Sequence, residues 1–406
     1  MSRQNSHFHV GVDFPVYALA WLDDDRVAVT GGGGAGRSGI KNSLSVYKVN
    51  GSSQTCDRVQ ELDLARDEDA SSTIAVNPKK KEIVLGINSN ADTMSKGTNN
   101  NVRLFSYSDD ALKQEKSAST IDTKDTEIYQ KVTAYSPDGS MIAVGSSQSQ
   151  LSILSASTLE RILPDLSFDK DEMFDADFSS DSKMFLGASE HKINVWPVSE
   201  SSSATDSPPE PIQVIQQPVL SKSLKCTFRA ARFGRGDNAS RLFTVVNALP
   251  SGSAAGSASR RNKGERKAFI SVWDVDTWKL IRTRTVAKKP VTSFDVSPDG
   301  KLLALGGSDL SITIFDAETV QPLLSVLKAH DFPSTCLRFS PDSKLLISGS
   351  ADNTLRIVLA DQASHPTRYR GLQAALLTLI VLLIAILIQL YAGDQVLTVA
   401  RKHLHL

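Results

Sequence analysis

Residues Ala329 to Val358 read A-H-D-F-P-S-T-C-L-R-F-S-P-D-S-K-L-L-I-S-G-S-A-D-N-T-L-R-I-V. Three strand patterns lie in this stretch. An alternating run leads into Ser340-Pro341-Asp342-Ser343, an apolar run follows, and a third run ends at Val358. Proline presets φ for a tight turn and aspartate bonds the backbone beyond it, so the first two runs form an antiparallel pair.

The same grammar recurs upstream. Related turns stand at Ser136-Pro137-Asp138-Gly139, Ser179-Ser180-Asp181-Ser182 and Ser297-Pro298-Asp299-Gly300. Ser136 and Ser179 are 43 residues apart, as are Ser297 and Ser340. That is the period of propeller blades. An alternating strand precedes each turn, as in Thr292–Val296. An apolar strand follows, as in Leu302–Gly306, and then a third, as in Ser311–Asp316. Projected along the chain, the pattern predicts seven units, beginning near Tyr17, Ser72, Val132, Phe174, Arg229, Val291 and Thr335. Unit two turns at Asn77-Pro78-Lys79-Lys80 and unit five at Gly234-Arg235-Gly236-Asp237. The expected fold is all-β, a seven-bladed β-propeller.

The last unit resembles a WD repeat. His330, Ser348 and Asp352 match three polar positions that form a side-chain network inside such blades, while Val358 replaces the usual tryptophan. These are divergent WD repeats, and His330 is read as structural, not catalytic. Open sheet edges invite aggregation, so seven blades must close into a ring. The last unit shows only three strands, and His7 to Val12 is expected to supply its fourth. Four polar insertions, Asn88–Asn101, Asp109–Glu127, Glu200–Gln217 and Pro250–Lys267, are expected to be rim loops or disorder. The basic cluster Arg260-Arg261-Asn262-Lys263 with Arg266 and Lys267 reads as a solvated loop.

Leu372 to Ala392 departs from everything else: 21 residues without a charge. A helix of that length covers roughly 31 Å, a bilayer core. Arg368 and Arg370 precede it. Met1 to His9 has no apolar core of a secretory signal. The expected layout is a cytosolic propeller over 1–367, a single C-terminal transmembrane helix with a basic flank over 368–392, and a short lumenal tail over 393–406. This is a tail-anchored arrangement.

With 45 basic and 45 acidic residues the net charge is zero, which argues against nucleic acid as a partner. Cys56, Cys226 and Cys336 lie far apart and form no CxxC pair, in keeping with reduced thiols. No GxSxG, HExxH or paired His/Cys spacing occurs, so neither an enzyme nor a small-molecule substrate is expected.

One stretch is left without a scaffold role. Thr30 to Val46 reads T-G-G-G-G-A-G-R-S-G-I-K-N-S-L-S-V between two strand patterns. It is not a phosphate loop, which needs GxxxxGK[ST] opening a helix; here Arg37-Ser38-Gly39 follows, and then a strand. Glycine loses entropy on ordering, so such a run is either a flexible hairpin loop or a backbone brought against a partner or ion. The glycine run, Ile40-Lys41-Asn42, the divergent propeller and the C-terminal apolar segment together resemble the prolactin regulatory element binding protein family. These are the endoplasmic-reticulum guanine nucleotide exchange factors for the Sar-type small GTPase. The resemblance implies that a loop on the first blade binds a potassium ion and engages the GTPase. Gly31, Gly32, Gly33, Gly34 and Gly36 match its glycines, and Ile40 and Asn42 the residues near its end, with Asn42 as the potassium ligand; Lys41 and Ser43 depart from the family pattern. It also implies exchange without covalent chemistry, the start of COPII coat assembly, and a propeller facing the cytosol from the endoplasmic-reticulum membrane. The alternative is a non-catalytic, tail-anchored WD-repeat scaffold.

Overall fold

Among the described residues 28 strands form seven four-stranded sheets, and these set the architecture. The computed structural model describes residues 6–36, 38–168, 171–200, 207–219, 224–250, 266–363, 376–387 and 389. After β1 (His7–Gly11), blade one holds β2 (Val16–Trp21), β3 (Arg26–Gly31), β4 (Ser43–Asn50) and β5 (Thr55–Asp63). Blade two holds β6 (Thr73–Asn77), β7 (Glu82–Gly86), β8 (Val102–Tyr107) and β9 (Leu112–Ala118), with a short helix α1 (Ala91–Ser95) between β7 and β8. Blade three is β10 (Gln130–Tyr135), β11 (Met141–Ser146), β12 (Gln150–Ser155) and β13 (Leu166–Ser167). Blade four is β14 (Met173–Phe178), β15 (Met184–Ser189), β16 (Lys192–Pro197) and β17 (Gln213–Gln216). Blade five is β18 (Leu224–Phe233), β19 (Arg241–Pro250), β20 (Lys267–Asp274) and β21 (Leu280–Ala287). Blade six is β22 (Val291–Val296), β23 (Leu302–Gly307), β24 (Ile312–Asp316) and β25 (Pro322–Val326). Blade seven is β26 (Ser334–Phe339), β27 (Leu345–Ser350) and β28 (Thr354–Leu359). Its fourth strand is β1, paired antiparallel with β28 from His7↔Val358 to Gly11↔Thr354. The expected closure is thus present.

The recurring turns show why they repeat. In all four, the serine Oγ accepts the backbone N–H five residues on, at 2.9 Å, and donates to the aspartate two residues on. Each turn also holds its neighbour: Asp138 N–H donates to Ser182 Oγ, and Asp299 N–H to Ser343 Oγ, both at 3.1 Å. Blades two and five lack the motif and reach across with an amide instead. Asn77 Nδ2 donates to Gly139 O and Asn238 Nδ2 to Gly300 O. Apolar side chains fill the spaces between blades; one cluster joins blades seven and one through Val16, Leu19, Ile347 and Ile357. Inner-strand carboxylates stitch the same seams. Asp175, Asp177 and Asp295 accept the N–H of Ala231, Phe233 and Phe339.

Three of the expected insertions are more structured than their composition suggests. Asn88–Asn101 contains α1, N-capped by Asn90, and buries Asn88, Met94, Asn99 and Asn101. Asp109–Glu127 contains β9, and Glu200–Gln217 contains β17. Residues 251–265, with most of the basic cluster, lie outside the described residues. The chain divides into two units at Gln362–Ala363. In the second, 376–387 is helical with exposed apolar side chains. Among the described residues no helix is long and apolar enough to cross a membrane. The ends of the expected span at 372–392 lie outside them.

Candidate functional site

Strands β3 and β4 pair as far as Gly31↔Ser43, leaving the loop 32–42 to leave the sheet beside the start of β2, since Gly31 also pairs with Val16. The loop therefore projects from the propeller face on which the inner strands begin. Its base is tied down where Gly32 N–H donates to Pro15 O at 3.2 Å. Gly32 sits at φ +143°, a conformation that side chains rarely adopt, and a Cβ there would run into Asn42 and Lys41 O.

Asn42 is the residue that shapes the loop. It is 1% exposed. Its Oδ1 accepts the N–H of Gly34 at 2.9 Å, and its Nδ2 donates to Ala65 O and Glu68 O, both at 2.9 Å. Its own carbonyl accepts Leu64 N–H at 2.8 Å. One buried amide so fastens the glycine run to the β5–β6 connection. Losing a partner here would strand buried polar groups, each costing about 1–3 kcal/mol. The tie continues outward: Glu68 pairs with Arg103 at 2.7 Å, both largely buried, and Arg103 donates to Asn100 O. Asn101 then reaches Gln130 Oε1 of blade three at 2.7 Å.

The matched residues divide into two sets. Gly31, Gly32 and Asn42 are buried at the base of the loop; Gly36 and Ile40 are exposed, with Gly33 and Gly34 between. Ile40 presents an apolar side chain at 37% exposure, available to a partner. Lys41 pairs with Asp63 at 2.6 Å in solvent, where such a pair contributes little.

A Cβ on Gly32 would meet Asn42 Oδ1 and Lys41 O, whereas one on Gly33 would meet Ser38 Oγ and Ile40 O. Neutral oxygens of this kind suit a weakly charged cation, so the residues fit a potassium ion in donor type.

One cavity touches the loop and a second adjoins the first. The first, of about 220 Å³, is lined by Gly33, Gly34, Asp69, Ser72, Tyr17 and Tyr129. The other, about 290 Å³, occupies the mouth of the central channel and shares Tyr17, Ser72 and Tyr129 with the first. Loop and channel mouth form one continuous surface. Burial pushes the Asp69 carboxyl up, against a hydrogen bond from Asn88 that pulls it down. Sequence reasoning missed Asp69, Glu68, Arg103 and Tyr129. Glu68 and Asp69 precede an inner strand as polar loop residues, and no local pattern distinguishes them.

A ring of seven four-stranded antiparallel sheets is, by class, a seven-bladed β-propeller. Residues 278–316 and 321–358 match the family described as WD domain, G-beta repeat. Each match begins with the outer strand of one blade and ends with the three inner strands of the next, the offset that leaves β1 to complete blade seven. The Raptor protein of Chaetomium thermophilum has a similar fold, with a TM-score of 0.60 over 88% of this chain and 28% of its own, at 12% identity. The nearer likenesses are in sequence. The chain is 36% identical to the guanine nucleotide-exchange factor SEC12 of Candida glabrata over 139 residues, covering 34% of this chain and 30% of that protein. It is 24% identical to the guanine nucleotide-exchange factor SEC12 of Rattus norvegicus over 53% of this chain and 48% of that one. SEC12-like protein 2 of Arabidopsis thaliana is 24% identical over 80% of this chain and 74% of its own length. This chain is thus similar in sequence to proteins named SEC12 guanine nucleotide-exchange factors, and spans under half the length of the fungal and rat proteins.

Proposed function

We propose that this chain is a membrane-anchored guanine nucleotide exchange factor that activates a Sar-type small GTPase and so starts COPII coat assembly at the endoplasmic reticulum. The observation that carries the reading is the glycine loop held out from blade one by the buried Asn42 amide, in a chain whose relatives are named guanine nucleotide-exchange factors.

Exchange needs no covalent step. A protein that binds the GTPase more tightly when its nucleotide site is empty must, by linkage, weaken nucleotide binding by the same factor. The loop is suited to that task because it is ordered before the encounter. Its glycine backbone would otherwise lose entropy on binding, and the three side-chain bonds of Asn42 remove much of that cost from the association step. Asn42 would hold the potassium ion through its neutral amide oxygen, with the Lys41 carbonyl beside it. When bound, the ion would supply a positive charge that offsets the convergence of those dipoles.

The test is nucleotide release from a Sar-type GTPase, followed with the full chain. Wild type is expected to accelerate release. Asn42→Ala is expected to slow it at least about tenfold, the equivalent of about 1.4 kcal/mol, and also to lower the thermal midpoint by stranding the partners of the amide, so release is compared well below that midpoint. Hydrogen exchange at Gly32–Asn42 should rise in Asn42→Ala, and also in wild type when potassium is replaced by a bulky organic cation. A full chain that leaves release unaltered overturns the reading.

A further inference from the structure

Six of the seven inner strands carry a bulge, at Tyr17, Lys131, Phe174, Arg229, Thr292 and Thr335. A bulge adds one unpaired residue and re-aims its side chain. All six line the mouth of the central channel. In blades six and seven the bulge side chain ties the ring: Thr292 Oγ1 donates to Ser334 O at 2.9 Å, and Thr335 Oγ1 to Val16 O at 2.7 Å. Ser72, just before β6, does the same for blade two by donating to Gln130 O. A hydroxyl therefore suffices for the structural role.

Blades three to five depart from it. Lys131 lies over the Phe174 ring at 4.1 Å from its centroid, and Arg229 lies 5.7 Å from the same centroid. Two cations, from the blades on either side, approach one aromatic ring. The channel's charges otherwise balance. Lys131 pairs with Glu172, Arg232 with Asp175, Arg235 with Asp177 and Arg338 with Asp295. Arg229 donates to Thr292 O, and among the described residues no carboxylate lies within ion-pair distance of it. Burial depresses the guanidinium pKa, with Asp175 and Glu172 only partly offsetting it. Such a charge is stabilised by an added anion.

Resting on the exchange-factor reading, we infer that this mouth receives an acidic side chain of the same GTPase that the glycine loop engages, with Arg229 as its partner and Phe174 as the shelf beneath. One surplus positive charge matches one carboxylate, not a polyphosphate. A cavity of about 290 Å³ admits a side chain. The cavity beside Gly33 and Gly34 shares Tyr17, Ser72 and Tyr129 with the mouth, so a protein seated on the loop covers both.

The experiment compares full-chain variants for binding to immobilised, nucleotide-free Sar-type GTPase, with Asn42→Ala as a loop control. Arg229→Gln is expected to weaken binding about tenfold or more, and Arg229→Lys much less. Arg229→Glu is expected to be rescued by replacing one Asp or Glu of the GTPase with Lys. Should Arg229→Gln not fold, Phe174→Leu keeps the apolar volume, removes the ring face, and is expected to weaken binding about threefold. Wild-type affinity in Arg229→Gln or in folded Phe174→Leu, with Asn42→Ala impaired, overturns this inference alone. A wild-type chain that neither binds the GTPase nor releases its nucleotide overturns the exchange reading and this inference with it.

Discussion

A single buried imidazole shows how much one residue can hold. His330 Nε2 meets Ser348 Oγ at 2.8 Å and Nδ1 meets Thr354 Oγ1 at 2.7 Å, with Asp352 3.6 Å away. Asp352 in turn accepts the N–H of Asp331 and of Thr354. The network needs a neutral ring. Burial pushes the His330 pKa down from 6.5 to about 4, and nearby Asp352 only partly offsets this. Between those values the unfolded chain binds the proton and the folded chain does not, so stability is full above pH 6.5 and falls as pH drops towards 4. Over that window the loss is about 3 kcal/mol. Urea midpoints across pH 7 to 4 should show it, and His330→Gln should have a shallower slope. Equal slopes in the two proteins would refute the assignment. The residues of this network were legible because they sit at fixed offsets in a repeat. The role of Asn42 was not. Its partners Ala65 and Glu68 contribute backbone carbonyls, which carry no sequence signature.

Strands differ in legibility for a related reason. Second strands such as β11, β23 and β27 are buried throughout, and their apolar runs are plain in the sequence. Outer strands such as β5 and β9 alternate weakly and face solvent, so β9 reads as a polar insertion although it pairs with β8 along its length. Such strands form because the preceding strand offers an unpaired edge, not because their side chains demand it. The bulges were equally hidden, since one extra residue leaves the alternation intact on either side. Strand β1 is an outer strand with a packing role as well. Phe8 and Val10 pack on the cluster joining blades seven and one, and all five residues pair with β28. Deleting residues through Gly11 removes that pairing and bares the edge of β28. About five net hydrogen bonds at roughly 1 kcal/mol each predict a loss on the order of 3–5 kcal/mol. An exposed edge also promotes self-association. Denaturant titration and size-exclusion chromatography would report both; an unchanged midpoint would mean that the ring closes without β1.

At the scale of the whole molecule, a rigid ring presents the loop, and the second unit poses a separate physical problem. The helix over 376–387 exposes ten large apolar side chains, from Leu376 to Leu387. They surround the helix and do not form a stripe, so no single packing face would cover them. At about 25 cal/mol per Å² of apolar surface, leaving them in water is costly, whereas a bilayer covers every side at once. The reading of Leu372–Ala392 as a membrane span rests on that argument and on the absence of charge in those residues. A span there would also give the proposed exchange activity a location. Under the proposed exchange reading, confining the factor and a GTPase to one surface would raise the effective concentration of the pair without any new contact. Two outcomes are expected when the full chain is translated in the presence of microsomes. It should resist alkaline carbonate extraction, and external protease should degrade the propeller while sparing a fragment that contains 372–392. Replacing Leu382 and Ile384 with Lys puts two charges at the helix centre, each costing about 2.5–3.5 kcal/mol for insertion, and should release the chain to the supernatant. Retention of that variant in the carbonate pellet would show that something other than this segment holds the chain to the membrane.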